Sequence, residues 1–268
     1  MAPVDYADQA RQYHMYNLGF SSHAPVPFDC KWCMKHDDLD NYLSTIDGLK
    51  SDYRDLDIYK SLEIDFIPEV ISPEDFKSKL DYTIGSIHFV EHDREGRPWE
   101  IDGLHSVFLD GLEKIFNNDI RAAVSRYFEL TRQMVSQSHP TIIGHLDKIK
   151  IQNIENKFFD ENDAWYRDEI RKTLKIISEE GGIVEVNTRG LYQKKSKTTY
   201  PSPWILDIIR DLHIPVTLSS DAHHPADLVN QFEEAARALL AAGIKKITIL
   251  QEGTWKPYGF NESGIIIT

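Results

Sequence analysis

A parallel α/β barrel is predicted from three observations. Short β-rich runs alternate with longer stretches of helical spacing, several of those runs are apolar almost throughout, and metal-ligand residue types recur where the runs end. Near-continuous apolar runs are what strands covered on both faces by helices require. The chain of 268 residues has about the length of one such barrel. It carries no low-complexity linker, no repeat at solenoid period and no second composition regime, so residues 1–268 are read as a single domain.

The strands are expected at Leu18–Ser22, Ile58–Ile67, Tyr82–His88, Thr141–His145, Ile183–Asn187, Val216–Ser220 and Lys246–Leu250. Between them, Ile120, Val124, Tyr127, Phe128, Met134 and Val135 fall on one helical face, with Asp119 where an N-cap belongs. Trp165, Ile170, Leu174 and Ile177 mark a second helix, ended by Gly181-Gly182. Leu228, Phe232, Ala235, Leu239 and Leu240 mark a third, with Gly243 beyond its end. These stripes are core. Three connections exceed what a plain barrel needs, Val90–His105, Lys148–Asn162 and Gly190–Ser202, and long structured loops often carry function.

Composition narrows the class. Hydrophobic residues at 41% and charged residues at 27% describe a globular chain rather than a disordered one. No apolar run approaches the roughly 18 residues of a membrane span, and the acidic N-terminus has no signal-peptide pattern, so a soluble cytoplasmic protein is expected. With 43 acidic against 30 basic residues, a net charge of −13 argues against nucleic acid as a partner. An anionic substrate would then need cations within the site, and bound metals are one supply. The oligomeric state has no signature in the sequence. Cys30 and Cys33 form a lone C-x-x-C without the second pair a zinc site wants or the context of a redox motif, and reduced, non-catalytic thiols are expected.

Chemistry gathers at the strand ends. The first run ends in His23, the second carries Glu63 and Asp65, the third ends in His88 and the fourth in His145-Leu-Asp147. The fifth reads Glu185-Val-Asn187-Thr-Arg189, and the sixth leads to Asp221-Ala-His223. In a β/α barrel the C-terminal strand ends share one face, which holds the active site. A single strand-end histidine is ordinarily a core or capping residue, and Asp221-Ala-His223 alone could be an Asx turn. Six such residues on one face point instead to metal. Imidazole and carboxylate donors suit Zn, Mn or Fe. No serine stands in a G-x-S-x-G elbow, so metal-activated water is the expected nucleophile. His14, His36, His105, His139 and His213 fall in helices or connections and are read as structural, while His92 and His224 stay open.

GFSSHAP, SLEIDFIP, TIGSIHF, IIGHLDKI and SSDAHHP resemble successive motifs of the PHP (polymerase and histidinol phosphatase) family, from about residue 5 to about residue 255. WEIDG, EVNTRGLY and LSSDAHHP are most similar to its histidinol-phosphatase branch. The resemblance implies a distorted (β/α)7-type barrel around up to three divalent metals, and phosphoester hydrolysis. Transferred to this chain, it implies that Glu63 bridges two metals, that His88 and His145 complete the second site, that Asp221 serves the first, and that His23 and His223 serve the third. Arg189 is the candidate for substrate phosphate, because a guanidinium fork matches phosphate oxygens; a surface ion pair is its plain alternative. Lys194 and Lys195 are read as solvated. Trp99 and Asp102 are candidates to close over the imidazole and amine of histidinol.

One departure stands out. The family pattern opens with a His-x-His strand followed by another ligand, and no His-x-His pair occurs here. The first strand is therefore expected to be missing, through a misplaced start or a trimmed chain rather than natural loss of activity, and fewer than three metals are expected to bind. The leading expectation is hydrolysis of the small phosphomonoester L-histidinol phosphate to L-histidinol and phosphate, a step of histidine biosynthesis. The competing ones are a phosphoesterase or nuclease of the same family acting on another substrate, a more distant amidohydrolase, and a catalytically silent metal-binding domain.

Overall fold

The computed structural model describes residues 2–266. Six strands form one parallel sheet: β1 (Asn17–His23), β2 (Asp57–Asp65), β3 (Ile84–Ser86), β6 (Ile142–Ile143), β7 (Ile183–Asn187) and β8 (Val216–Ser219). They lie side by side in chain order, and the sheet curls into a half-barrel. Between β3 and β6 the chain inserts a hairpin of β4 (Phe89–His92) and β5 (Pro98–Glu100), which occupies much of the first long connection.

One helix precedes the first strand and the others connect the strands. The helices are α1 (Pro3–Gln12), α2 (Leu39–Asp52), α3 (His105–Phe116), α4 (Ile120–Ser138), α5 (Ala164–Glu180), the single turn α6 (Arg189–Tyr192), α7 (Pro203–Asp211) and α8 (Phe232–Ala241). Asp119 caps α4 as its sequence suggests, its Oδ1 accepting the Ala122 amide at 3.0 Å, a contact ordinarily worth about 1 kcal/mol. Gly181 ends α5 at φ +76°, a left-handed turn that a side chain would strain. The apolar stripes of α4, α5, α7 and α8 pack with Val184, Val186 and Val216 of the sheet into the main core. Leu228, expected at the start of the last helix, sits in a turn ahead of α8 and packs instead with α1 and α2 residues.

The seventh expected strand forms, but it is hydrogen-bonded into a separate three-stranded sheet rather than into the parallel one. β9 (Lys246–Gln251) runs alongside β8 but pairs antiparallel with β10 (Thr254–Asn261), which pairs in turn with β11 (Gly264–Ile266). Glu252 and Gly253 both take positive φ, +49° and +71°, the two-residue turn that a tight hairpin needs. That turn sends the chain straight back along β9 as β10. Asn17 Nδ2 on β1 donates to Leu250 O at 2.7 Å, so this meander reaches both edges of the parallel sheet.

The cysteines also depart from expectation. Cys30 and Cys33 are joined in a disulfide, the loop after β1 turning tightly enough to bring their Cα atoms to 5.4 Å. Among the described residues, no helix is long and apolar enough to cross a membrane.

Candidate metal centre

Strand register brings the site together. His23 stands directly opposite Glu63 on neighbouring strands, and Asp65 opposite Ser86. Because side chains alternate along a strand, Glu63 and Asp65 share one face of β2, while Leu62 and Ile64 take the other and bury in apolar packing. The same alternation on β7 sends Val184 and Val186 to the core and Glu185 and Asn187 to the site face. His88 and His145 each stand two residues beyond the end of β3 and β6, where each strand gives way to a loop.

Glu63 is the hub. Its Oε1 accepts the Ser86 hydroxyl at 2.7 Å and lies 2.8 Å from His145 Nε2. His88 Nε2 stands 3.6 Å from Oε1, and His23 Nδ1 stands 3.6 Å from Oε2. Two donors that share one ion at about 2.1 Å sit about 3.4 Å apart, so the last two spacings match those of a shared cation. The ligand atoms of His23, Glu63 and His88 all fall within 4.8 Å of one another. His23 Nδ1 and His145 Nδ1 are buried without a hydrogen-bond partner, a costly state unless another group completes them.

Charge points the same way. Burial resists ionisation of Glu63, but His23, His145 and His88 hold its carboxyl well below the ordinary range. Burial likewise works against charge on His88, yet Asp65, Asp102 and Glu63 raise it to about 10. The acidic side chains thus call for a positive charge at this point. Burial lowers His23 and leaves its imidazole neutral, the form that ligates metal. Residues of nitrogen and oxygen donor type, orphaned ring nitrogens and a local excess of carboxylate fit divalent ions.

A second set of side chains supports these. Asp65 accepts the His88 amide at 2.8 Å, and its carboxylate lies 3.1 Å from His88 Nδ1. That contact fixes the ring and leaves Nε2 facing Glu63. Glu185 accepts the His145 amide at 2.7 Å and Asn187 Nδ2 at 3.1 Å, and burial raises its carboxyl. Sequence reasoning noted Asp65 and Glu185 without giving them a role; each stands two residues from another site residue on the same strand, and that spacing was the available signal.

Asp221 and His223 adjoin this group. Asp221 takes a left-handed backbone, φ +49°, and receives Asn187 Nδ2 at 3.3 Å. His223 lies 3.5 Å from its carboxylate, with its ring 6.2 Å from that of His23, and is half-exposed. Arg189 Nη1 donates to Asp221 O at 2.7 Å, stands 3.7 Å from the Asp221 carboxylate and also contacts His223 Nδ1, which places its guanidinium beside both side chains.

Beside the cluster opens a pocket of about 230 Å³. Arg189, Lys148 and Lys195 give it positive charge, and Glu100 and Asp102 give it negative charge. Lys195 borders the pocket and is solvent-exposed, as expected. Lys148 is buried 3.4 Å from Asp102; burial opposes charge on both, yet Asp102 is held down to about 2 by His88 and Lys148. Trp99 is a correction. It is buried against Phe108 and Phe116 and lies outside the pocket lining. Strand alternation on β5 turns Trp99 inward and Glu100 toward the pocket. The aromatic wall is Trp32, from the disulfide loop, stacked on Phe89 and set edgewise to His23 and His88. A lone tryptophan in a loop left no sequence signal of that placement.

The other histidines sit apart. His105 Nδ1 contacts Gln152 at 2.9 Å, and His139 ends α4 in a left-handed turn. His224, left open by the sequence, accepts the Ala226 amide through Nδ1 at 3.1 Å as a turn cap.

Comparisons with known proteins agree with this architecture. Residues 1–189 match the model of the PHP domain. The chain is 26% identical over 266 residues to a protein of Schizosaccharomyces pombe named as a probable histidinol-phosphatase, covering 93% of this chain and 84% of that one. It is 25% identical over 245 residues to the histidinol-phosphatase of Bacillus subtilis, covering 85% and 89%. The crystal structure of histidinol phosphate phosphatase from Lactococcus lactis, complexed with zinc, L-histidinol and phosphate, superposes with a TM-score of 0.64 at 17% identity, over 99% of this chain and 93% of that one.

Proposed function

Because the chain belongs to the PHP domain family, we propose that it is a metal-dependent phosphoric monoester hydrolase whose substrate is L-histidinol phosphate, released as L-histidinol and phosphate. The observation that carries this reading is the convergence of His23, His88 and His145 on Glu63, with His23 and His88 lining a pocket that also bears Arg189, Lys148 and Lys195. The curated relatives are named for this activity, and the Lactococcus structure holds zinc, L-histidinol and phosphate together.

On this reading His23, Glu63, His88, His145, Asp221 and His223 hold the ions. When bound, divalent ions would supply Lewis acidity toward the phosphoryl oxygens and a more acidic attacking water. The chain does the rest. Asp65 fixes the His88 ring so that Nε2 presents its lone pair, and Ser86 orients the Glu63 carboxylate. Arg189 carries the phosphate, its guanidinium tethered by the Asp221 carbonyl so that little freedom is lost on binding. Lys148 and Lys195 add positive charge where negative charge accumulates on the transferring phosphoryl group. Trp32 closes one side and keeps water from the reacting group.

The test is a substrate comparison at fixed manganese or zinc. L-Histidinol phosphate is expected to exceed other small phosphomonoesters in kcat/KM, and short oligonucleotides are expected to be inert. Preference for an oligonucleotide or for an unrelated phosphomonoester would contradict the assignment.

A further inference from the structure

The loop after β1 is anchored at both ends and has no backbone pairing between them. Ala24 donates its amide to Glu63 O at 2.8 Å, and the Met34 amide donates to His23 O at 3.2 Å. Across residues 25–33 no helix, strand or backbone–backbone hydrogen bond occurs among the described residues. What shapes this stretch is the apolar packing of Phe28, Trp32 and Met34, and the Cys30–Cys33 disulfide. The Cys33 amide, donating to Cys30 Sγ at 3.2 Å, closes the same turn.

The bridge encloses only Lys31 and Trp32. A disulfide across so short a loop removes little entropy from the unfolded chain, so stapling the fold is a minor part of its effect. Its larger effect falls on Trp32. That ring stacks on Phe89 at 5.5 Å and meets His23 and His88 edgewise at 4.6 and 5.2 Å, so it lies against two side chains of the metal centre. Both cysteines are half-buried rather than sealed in the core. Lys31 between them and Lys35 beyond are exposed and present positive charge to an approaching thiolate.

We propose that Cys30 and Cys33 form a reversible thiol–disulfide site, through which a dithiol reductant controls the placement of Trp32 against the metal centre. A thiolate of the reductant attacks one cysteine sulfur, the S–S bond breaks, and its electron pair leaves on the other cysteine, which takes a proton. The reductant's second thiolate then attacks its own sulfur in the mixed disulfide and releases the first cysteine, which is protonated in turn. The chain gains two electrons and two protons as a pair of thiols, and the reductant becomes a disulfide. Reduction opens the turn and takes from Trp32 its fixed seat against Phe89 and His88. The oxidised chain is the form with the wall closed.

The experiment uses manganese-loaded chain labelled with 5-fluorotryptophan, equilibrated with oxidised glutathione or with dithiothreitol, and carries the Cys30→Ser/Cys33→Ser double variant alongside. The fluorine resonance that disappears in Trp32→Phe reports this ring directly. In the wild type it is expected to shift on reduction and to return on reoxidation. In the double variant it is expected to keep the reduced position under both conditions. For L-histidinol phosphate, kcat/KM is expected to fall about fivefold on reduction and to recover on reoxidation, while the double variant stays low and does not respond. A Trp32 resonance identical in both states would overturn the proposal. So would two alkylatable thiols in the glutathione-oxidised chain, an equal response of the double variant to dithiothreitol, or turnover unchanged by reduction in an active chain. The turnover readout rests on the phosphatase reading and the resonance does not. A chain that releases no phosphate in either state refutes that reading, and the Trp32 signal still decides the switch.

Discussion

Oε1 of Glu63 lies 2.8 Å from Nε2 of His145, although 82 residues separate the two in the chain. β2 and β6 are not neighbours, since β3 stands between them, so the contact spans the concave face of the half-barrel. It is the curl of the sheet that lets strand-end residues meet.

Replacing that carboxylate with an amide keeps its shape and removes its charge. Glu63→Gln is expected to lower bound divalent metal by about one ion per chain and kcat/KM by more than about 100-fold. Elemental analysis of the purified variant checks the first expectation directly. Metal content equal to the wild type would contradict the role given to Glu63.

Asp65 acts through His88 and should leave a different trace. With Nδ1 of His88 held by Asp65 at 3.1 Å, Asp65→Asn removes the charge that sets the ring's tautomer. Zinc affinity is expected to fall about 10- to 100-fold, with activity restored as zinc is raised. A loss of activity that no zinc concentration repairs would count against a positioning role.

These two residues show where the sequence was legible. The parallel strands and their order followed from alternation of apolar runs and helical stripes, and His23, Glu63, His88, His145 and Asp221 could be named because their types recur at strand ends. Asp65 and Glu185 were visible by their spacing but had no assigned partner, because a second-layer contact depends on loop geometry rather than on period. Trp32 and Glu100 were hidden for another reason: the disulfide loop and the β4–β5 hairpin owe their positions to long-range packing, and a one-residue shift on β5 exchanges Trp99 for Glu100. The β9–β10 hairpin was missed because Glu252-Gly253 was not read as a turn.

Lys150 and Asp147 form a buried ion pair at 2.8 Å that also anchors the loop behind the pocket, with Lys150 Nζ donating to Thr199 O at 2.9 Å and Asp147 accepting the Ser202 amide at 2.9 Å. Lys150→Met would strand a buried carboxylate whose proton affinity burial already raises. Urea unfolding is expected to show a loss of about 3–5 kcal/mol, at least half of it recovered in the Lys150→Met/Asp147→Leu double variant. A loss under about 1 kcal/mol would show the pair to be dispensable.

Asp102 predicts an acid dependence. Burial opposes its charge, but His88 and Lys148 depress its carboxyl from 3.8 to about 2. A depressed carboxylate contributes stability that is present above its unfolded value and is lost as pH falls through the folded one. Asp102→Asn is therefore expected to be less stable than the wild type by on the order of 2 kcal/mol at pH 7. The gap should close as the pH drops from about 4 to about 2. A gap independent of pH would mean that Asp102 contributes shape rather than charge.

The central claim is that the Glu63 cluster holds ions that hydrolysis requires. The most direct measurement is phosphate release from L-histidinol phosphate, followed together with bound metal as the chain is stripped with a chelator and reloaded with manganese or zinc. The account predicts that release disappears with the metal and returns in proportion to its reloading. Release that persists in metal-free chain, or a fully loaded chain that releases no phosphate, would contradict it.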